Sequence, residues 1–241
     1  MAVYDLEEQE QLDEIKTWWT QYGNLVTGLV TAAAIAVAAW QGWNAWQRHQ
    51  SAGASAIFAS LQQAAGQKDA KRSRELAGEL IDKYSGTAYA GMGALLAARI
   101  QIDSDDAKNA RVQLAWAADN AVDPGLRDLA RLRLATVLLD EKDYDEAARR
   151  LAAEPAAPFA LRFAELRGDV LAAQGKTAEA RAAYDVALKR AAAKDTKAES
   201  GEATKSHSAY MEVLEAKRHA LGATPAVATP AAPAAKSGAD K

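Results

Sequence analysis

The sequence contains no cysteine and only three histidines among its 241 residues. The absence of cysteine excludes disulfides, thiolate metal sites and a cysteine nucleophile. The histidines, His49, His207 and His219, are scattered along the chain and have no metal-ligand spacing. We therefore expect no metal site.

Sequence motifs of enzyme chemistry are also missing. There is no glycine-rich phosphate loop that ends in Lys-Ser or Lys-Thr, and no Gly-x-Ser-x-Gly elbow. The fragment Gly91-x-Gly93 lacks the third glycine of a dinucleotide-binding motif, and packing of one helix on another through small residues explains it. The spacing of Asp128 and Arg131 is typical of an exposed ion pair on a helix. We expect no cofactor and no enzymatic activity.

The chain also lacks an excess of positive charge, since its 29 Lys and Arg residues are outnumbered by 32 Asp and Glu residues. A nucleic-acid-binding protein normally concentrates basic residues on one face. We therefore expect no nucleic-acid partner.

Charged residues of either sign are absent between Lys16 and Arg48. At 1.5 Å per residue, the apolar part Leu25–Trp46 makes a helix of about 33 Å, which matches the hydrocarbon core of a bilayer. Aromatic residues cluster at both ends of this helix, at the depth where membrane–water interfaces would lie. The pattern predicts a transmembrane anchor at 17–47 in a lipid bilayer, preceded by an acidic leader at 1–16. The aromatic residues are Trp18, Trp19 and Tyr22 at one end, and Trp40, Trp43 and Trp46 at the other.

Two other interpretations of this stretch stay open at the level of the sequence. One is a buried helix of a soluble protein, although such helices seldom run this long without a charge. The other is a cleavable signal peptide, although the leader lacks the basic residues that such a peptide needs. Lys16 and Arg48 flank the two ends equally, so the basic charges leave the orientation undecided.

One face of the predicted anchor carries small residues, because Gly28, Ala32 and Ala36 recur every four positions. Such a stripe lets another transmembrane helix approach closely. Glycine and alanine are common in this chain, so the spacing is also compatible with composition alone. No ionisable residue lies inside the span, which argues against an ion or proton path.

Beyond the anchor the sequence predicts helices throughout, because alanine, leucine and arginine dominate and the breaks are short. We assign residues 48–193 to one helical domain. The predicted helices are 48–65, 70–84, 88–103, 106–120, 125–140, 144–153, 158–174 and 177–193.

Residues at tetratricopeptide spacings indicate that these helices form repeats. In such a repeat, small residues let helices A and B cross closely, and a large side chain fills the gap beside them. In the second unit Lys142 stands where the first has the turn residue Gly175. We predict an all-α fold, in which a single N-terminal transmembrane helix precedes a degenerate tetratricopeptide-repeat α-solenoid, with a non-repetitive bundle as the alternative. The matching positions are Gly168, Ala180, Tyr184 and Ala187; Ala135, Tyr144, Ala147 and Leu151; and Ala98, Ala110, Leu114 and Ala117.

The C-terminal fifth of the chain changes in composition. We predict a charged linker at 194–205, a possible capping helix at 206–221, and a disordered tail rich in alanine and proline at 222–241.

A solenoid of this kind binds its partners along the concave side, which helix A of each repeat lines. The repeat phase predicts a groove that is apolar in its first two repeats and charged at its C-terminal end, suited to unfolded polypeptide segments. If the phase is wrong by one or two positions, the leucines of this set belong to the core instead. The predicted groove residues are Met92, Leu95, Arg99, Ile102, Leu129, Leu132, Thr136, Leu139, Arg162, Glu165 and Asp169.

Several short motifs resemble the YfgM-like family of bacterial ancillary translocon subunits. The likeness covers about residues 1–193 and is most specific in the first fifty. The motifs are Met1-x-x-Tyr4, Ile15-Lys16-x-Trp18-Trp19, Gly23-Asn24, Trp43-x-x-Trp46-x-x-His49-Gln50, Tyr84-Ser85-Gly86-Thr87-Ala88-Tyr89-Ala90 and Leu166-Arg167-Gly168-Asp169-Val170-Leu171-x-x-x-Gly175.

The resemblance implies a single-pass inner-membrane protein with a cytoplasmic N-terminus and a periplasmic repeat domain. It implies association with the SecYEG translocon and with a membrane-anchored periplasmic isomerase-like chaperone. It also implies a role in handing unfolded exported polypeptides to periplasmic chaperones. The alternative is a tetratricopeptide scaffold or regulator of another envelope complex, in stress response or cell division, because the repeat fold alone does not fix the partner.

Overall fold

A computed structural model describes residues 4–195 and 202–222, and every regular element in these residues is an α-helix. The predicted all-α fold is confirmed. The predicted tail lies outside the described residues, except for Gly222. The helices are α1 (Tyr4–Gly66), α2 (Ala70–Tyr84), α3 (Ala88–Asp103), α4 (Ala107–Asn120), α5 (Pro124–Asp140), α6 (Tyr144–Arg150), α7 (Ala160–Ala173), α8 (Thr177–Asp195) and α9 (Glu202–Ala220).

The contacts divide the chain into two compact units, Met1–Ile57 and Phe58–Lys241. In the first unit, α1 contains a stretch that is long and apolar enough to cross a membrane. Its side chains are largely exposed, as at Leu29 and Ile35. The ring centroids of Trp43 and Trp46 lie 5.4 Å apart at one end of the stretch. An apolar helix that exposes its side chains all round fits a segment surrounded by lipid.

In the second unit, helices are joined in pairs by turns of one type. The residue that ends each turn has a positive φ: 56° at Lys68, 58° at Asp105, 64° at Lys142 and 76° at Gly175. Left-handed backbone of this kind favours glycine, but only the last of the four turns has one. The prediction that Lys142 takes the place of the turn glycine is therefore confirmed, and Lys68 and Asp105 mark two further turns.

An aspartate follows three of these turns and caps the next helix. Asp69 accepts a hydrogen bond from the backbone N–H of Arg72 at 2.9 Å, and Asp143 accepts one from that of Glu146 at 3.4 Å. Asp106 caps α4 in the same way. A side-chain oxygen at this position satisfies one of the free N–H groups of the first helical turn. The four turns, three of them followed by a cap, define four helix pairs, each with a first helix, A, and a second helix, B.

Small residues bring neighbouring helices close together, both within a pair and between successive pairs. A Cβ atom added to Gly168 on α7 would lie 2.6 Å from the Tyr184 ring of α8, too near for any side chain. A Cβ atom on Gly93 would lie 2.6 Å from Leu80 Cδ1, which confirms that Gly91-x-Gly93 is a helix-packing feature. The tyrosine fills the space beside the glycine, as the repeat pattern predicted.

Two of the buried clusters in the described part of the second unit lie near the A helices. The larger one extends through α3 to α7 and includes Leu114, Leu134 and Phe163. The smaller one joins α7 and α8 to Leu214 of α9. Each helix from α2 to α9 packs on the next one in the chain, so the domain is stacked in sequence order.

Two details differ from the sequence predictions. Helix α8 runs to Asp195 and α9 begins at Glu202, so helix extends into both ends of the predicted linker 194–205. The Asp128–Arg131 pair is not exposed: Asp128 is 4% exposed and also accepts a 2.8 Å hydrogen bond from the backbone N–H of Ala156. This carboxylate ties the loop before α7 to α5, a long-range role that helix spacing does not reveal.

Candidate functional site

The A helices of successive repeats lie side by side, since α3 contacts α5 and α5 contacts α7. We call the surface formed by these three helices the A-helix face. Two clefts open on it, one between each neighbouring pair of helices.

The cleft between α5 and α7 has a volume of about 360 Å³. Its apolar part comes from three leucines that are partly buried against the core, and its polar part comes mainly from α7. It is lined by Leu129, Leu132, Arg133, Thr136, Arg162, Glu165, Leu166 and Asp169.

The cleft between α3 and α5 has a volume of about 320 Å³. Arg133 and Thr136 border this cleft as well as the first one, so the two clefts meet along α5. Its lining residues are Arg99, Ile102, Asp103, Leu114, Arg133, Thr136, Val137 and Asp140.

Eight of the eleven predicted groove residues line these two clefts, so the predicted phase brings them onto one surface. Leu95 is buried in the larger core cluster, in agreement with the alternative interpretation of the leucines. The other two predicted groove residues, Met92 and Leu139, line neither of the two clefts. Met92 is exposed, and Leu139 is partly buried against the core. The sequence reasoning missed Arg133 and Leu166, which lie next to predicted positions on the same helices.

The C-terminal end of the A-helix face is covered by α9. Lys217 Nζ lies 3.0 Å from Glu165 Oε1 and 2.9 Å from Asp169 Oδ1. Tyr210 donates a second hydrogen bond to Glu165, and the guanidinium of Arg162 lies 5.4 Å from the centre of the Tyr210 ring. The three charged residues predicted for this end of the groove therefore hold a helix of the same chain.

The electrostatics of this cluster favour the charged forms of Glu165 and Lys217. Burial alone would raise the pKa of Glu165, but hydrogen bonds from Tyr210 and Lys217 outweigh it, and the pKa lies below its usual 4.5. Burial would lower the pKa of Lys217, but its hydrogen bonds to Asp169 and Glu165 raise it above 10.5. Burial and the bond to Glu165 raise the pKa of Tyr210 to about 12. The cluster is an internal ion-pair network at neutral pH.

Helix α9 occupies the position of a further A helix. It packs on α8, the preceding B helix, as α5 packs on α4. Leu214 is fully buried in the smaller core cluster, and Arg218 pairs with Asp185 of α8 at 3.0 Å. Helix α9 thus lies where a capping helix was predicted, and it covers part of the surface predicted to bind partners. Its role as a cap stays a prediction.

Among the side chains that the structure describes, no group of three or more His, Asp or Glu residues is arranged to hold a metal ion. The two clefts are lined mainly by apolar and charged side chains.

Comparison with known proteins connects this architecture to a family. The family model of the tetratricopeptide repeat-like domain matches residues 16–222. A protein of Neisseria gonorrhoeae named ancillary SecYEG translocon subunit is 32% identical over 187 residues, which cover 77% of this chain and 89% of that protein. The chain belongs to the YfgM-like family. The resemblance seen in the sequence motifs is confirmed.

Other members of the YfgM-like family have the same name. The protein from Haemophilus influenzae is 28% identical over 187 residues, covering 76% of this chain and 90% of that protein. The protein from Escherichia coli is 26% identical over 190 residues, covering 78% and 90%. The matched region of the family model extends to residue 222, so α9 belongs to the tetratricopeptide repeat-like domain.

The predicted helix-packing stripe of the anchor lies on exposed parts of α1. Gly28, Ala32 and Ala36 are all exposed, and a Cβ atom added to Gly28 would meet nothing within 4 Å. The stripe is open to a neighbouring helix, and its use as a packing face stays a prediction.

Proposed function

We propose that this protein is a membrane-anchored, non-enzymatic interaction subunit of the Sec translocon that helps newly exported polypeptides reach periplasmic chaperones. The observation that carries the proposal is membership of a family whose compared members are named ancillary SecYEG translocon subunits. Those relatives are matched over most of their length, which supports a shared role for the whole chain.

The apolar stretch of α1 supports the anchoring part of the proposal. In this arrangement residues 17–47 cross the inner membrane once, with the leader 1–16 in the cytoplasm and the repeat domain in the periplasm. The stripe Gly28, Ala32 and Ala36 then lets a transmembrane helix of the channel pack against α1.

The A-helix face supports the interaction part. Its two clefts are lined by leucines beside polar groups, a composition suited to extended polypeptide segments. We propose that it receives segments of emerging unfolded chains, and that the domain also binds a membrane-anchored isomerase-like chaperone. Such a partner would take over the exported chain.

Site-specific photocrosslinking in intact cells tests the association with the channel. A photoreactive residue is placed at Ala32 on the stripe or at Ala34, which lies about 200° away on the same helix. We expect Ala32 to crosslink to SecY, SecE or SecG, and Ala34 to crosslink much less. Because both positions are alanines at nearly the same depth, the pair controls for insertion and expression.

Crosslinks from both positions to other envelope proteins, and none to the channel, would contradict the proposal. That result would favour the alternative role as a scaffold or regulator of another envelope complex.

Protease treatment of spheroplasts tests the orientation separately. We expect the repeat domain to be cleaved while the inner membrane is intact. Full protection, with cleavage only after lysis, would place the domain in the cytoplasm and exclude delivery to periplasmic chaperones.

A further inference from the structure

Arg133 stands out among the arginines that line the two clefts because it has no acidic partner among the described side chains. Arg162 pairs with Glu165 at 2.7 Å, and Arg99 lies 4.0 Å from Asp103. Among the side chains that the structure describes, no carboxylate lies within 4.0 Å of the Arg133 guanidinium. Its hydrogen bond is a long one of 3.4 Å to the backbone carbonyl of Leu95.

The surroundings of Arg133 make the lack of an acidic partner energetically unfavourable. The residue is partly buried on α5, where it borders both clefts. Burial lowers its pKa, and the positive charge of Arg99 lowers it further, so the environment opposes the cation from two sides. An arginine stays charged at neutral pH, and a partly desolvated cation is stabilised strongly by an anion.

The acidic residues of the clefts leave this cation available. Glu165 and Asp169 in the α5–α7 cleft are held by Lys217, and Asp103 in the α3–α5 cleft lies by Arg99. Asp140, also in the α3–α5 cleft, is exposed to solvent. The positive charge at the junction of the clefts is therefore not neutralised by its neighbours.

The flanks of Arg133 indicate what kind of anion fits. Leu129, Leu132 and Leu166 lie on one side of it in the α5–α7 cleft, and Ile102 and Val137 lie on the other side. A small hydrated ion gains nothing from these apolar walls. A polypeptide gains from both, because a carboxylate side chain can take the guanidinium fork while a neighbouring apolar side chain enters the leucines.

We propose that Arg133 binds a carboxylate of a polypeptide ligand, and that an apolar side chain next to that carboxylate occupies the cleft lined by Leu129, Leu132 and Leu166. The proposal rests on the proposed function, since it assigns a sequence preference to the surface that receives exported chains. It predicts that acidic–apolar pairs in those chains are preferred over purely apolar segments.

Fluorescence anisotropy with the full-length protein in detergent tests this preference. The probe is a short labelled Gly/Ser peptide with one Leu-Asp pair, compared with a twin that has Leu-Asn and another that has Ser-Asp. We expect the Leu-Asp peptide to bind about tenfold more tightly than the Leu-Asn peptide, the usual order for one charge-assisted contact. The Ser-Asp peptide should also bind more weakly, because it leaves the leucines unfilled.

Substitutions assign the preference to one residue. Arg133→Gln should reduce binding of the Leu-Asp peptide to the level of its Leu-Asn twin, and Arg133→Lys should keep part of the difference. The matched control is Arg72→Gln, an exposed arginine on α2 outside both clefts, which should leave the difference unchanged. Circular dichroism of each variant verifies that the helices are intact.

Four results would overturn the proposal: no binding of the Leu-Asp peptide, equal binding of the two twins, an unchanged difference in Arg133→Gln, or displacement of the peptide by inorganic phosphate at matched ionic strength. The last result would assign the site to a free anion. The crosslinking experiment from Ala32 is independent of these peptides. Loss of channel crosslinks with a retained Leu-Asp preference would contradict only the proposed function.

Discussion

The two ends of the A-helix face are built from the same repeat, but only one of them is covered by another part of the chain. Along α3 and α5 the face presents an open cleft and Arg133, which has no acidic partner among the described side chains. Along α7 the equivalent surface is occupied by α9 through Leu214, Tyr210 and Lys217. The difference is that the charged side chains of α7 already pair with a helix of the same chain, whereas Arg133 of α5 has no acidic partner among the described side chains.

Removing the buried contact of α9 should have the largest effect on this difference. Leu214→Ala deletes a fully buried side chain, for which we expect a loss of about 3 kcal/mol in the docking of α9. Residues 207–222 should then become sensitive to limited proteolysis while α2 to α8 stay folded. The neighbouring Val213 is half exposed, so Val213→Ala should leave protection unchanged. Equal sensitivity in both variants would contradict a specific docking contact.

Removing the central cation should have a smaller effect. Lys217→Ala leaves Glu165 and Asp169 with their other partners but without the charge that joins them, and we expect a loss of about 1–2 kcal/mol. Urea denaturation of the full chain measures this as a lower free energy of unfolding. Lys189→Ala on the exposed side of α8 is the control and should change little. If Lys217→Ala leaves the free energy of unfolding unchanged, the apolar contacts alone hold α9.

The pH dependence should be smaller still and should have a defined sign. The pKa of Glu165 is lowered in the fold, so its contribution is complete above 4.5 and is lost as pH falls through the folded pKa. The pKa of Lys217 is raised, so its contribution is complete below 10.5 and is lost as pH rises through the folded pKa. Protection of α9 in hydrogen exchange should thus be greatest between these limits. Glu165→Gln should flatten the acid side, and an unchanged acid side would assign the effect to other carboxylates.

The smallest effect is expected for exposed ion pairs away from the A-helix face. Arg111 of α4 lies 2.9 Å from Glu141 and 3.2 Å from Asp143, but all three side chains are substantially exposed. Arg111→Ala should therefore cost only about 0.5 kcal/mol by urea denaturation. If Arg111→Ala lowers the free energy of unfolding as much as Lys217→Ala does, the Lys217 cluster stabilises the domain no more than an exposed ion pair.

The repeat architecture could be predicted from local signals. Gly168, Gly175 and Tyr184 have spacings that steric contact between two helices requires, and the structure shows that contact. The turns at Lys68 and Asp105 were harder to detect, because charged residues at positive φ leave no glycine in the sequence. The sequence signal for both turns is the aspartate that follows each of them and caps the next helix, as the aspartate after Lys142 does.

The candidate site was predictable only in part. The helical period places Leu132 and Thr136 on one face, but it does not separate cleft residues from a buried neighbour such as Leu95. The covering of Glu165 by Lys217 joins residues far apart in the chain, and no local pattern encodes such a contact. The lack of an acidic partner for Arg133 among the described side chains also depends on the three-dimensional fold, because the fold decides which carboxylates lie near this residue.

The stacking of each helix on its successor has a consequence for how the domain opens. A domain stacked in this way loses its order from the ends inward, because a terminal element packs only on elements to one side of it in the chain, whereas an internal element packs on elements to both sides. Helix α9 is such a terminal element, and its release would expose the A face of α7 before any internal repeat is disturbed. Release of α9 alone would therefore uncover Glu165 and Asp169 of α7 while the preceding helices stay folded.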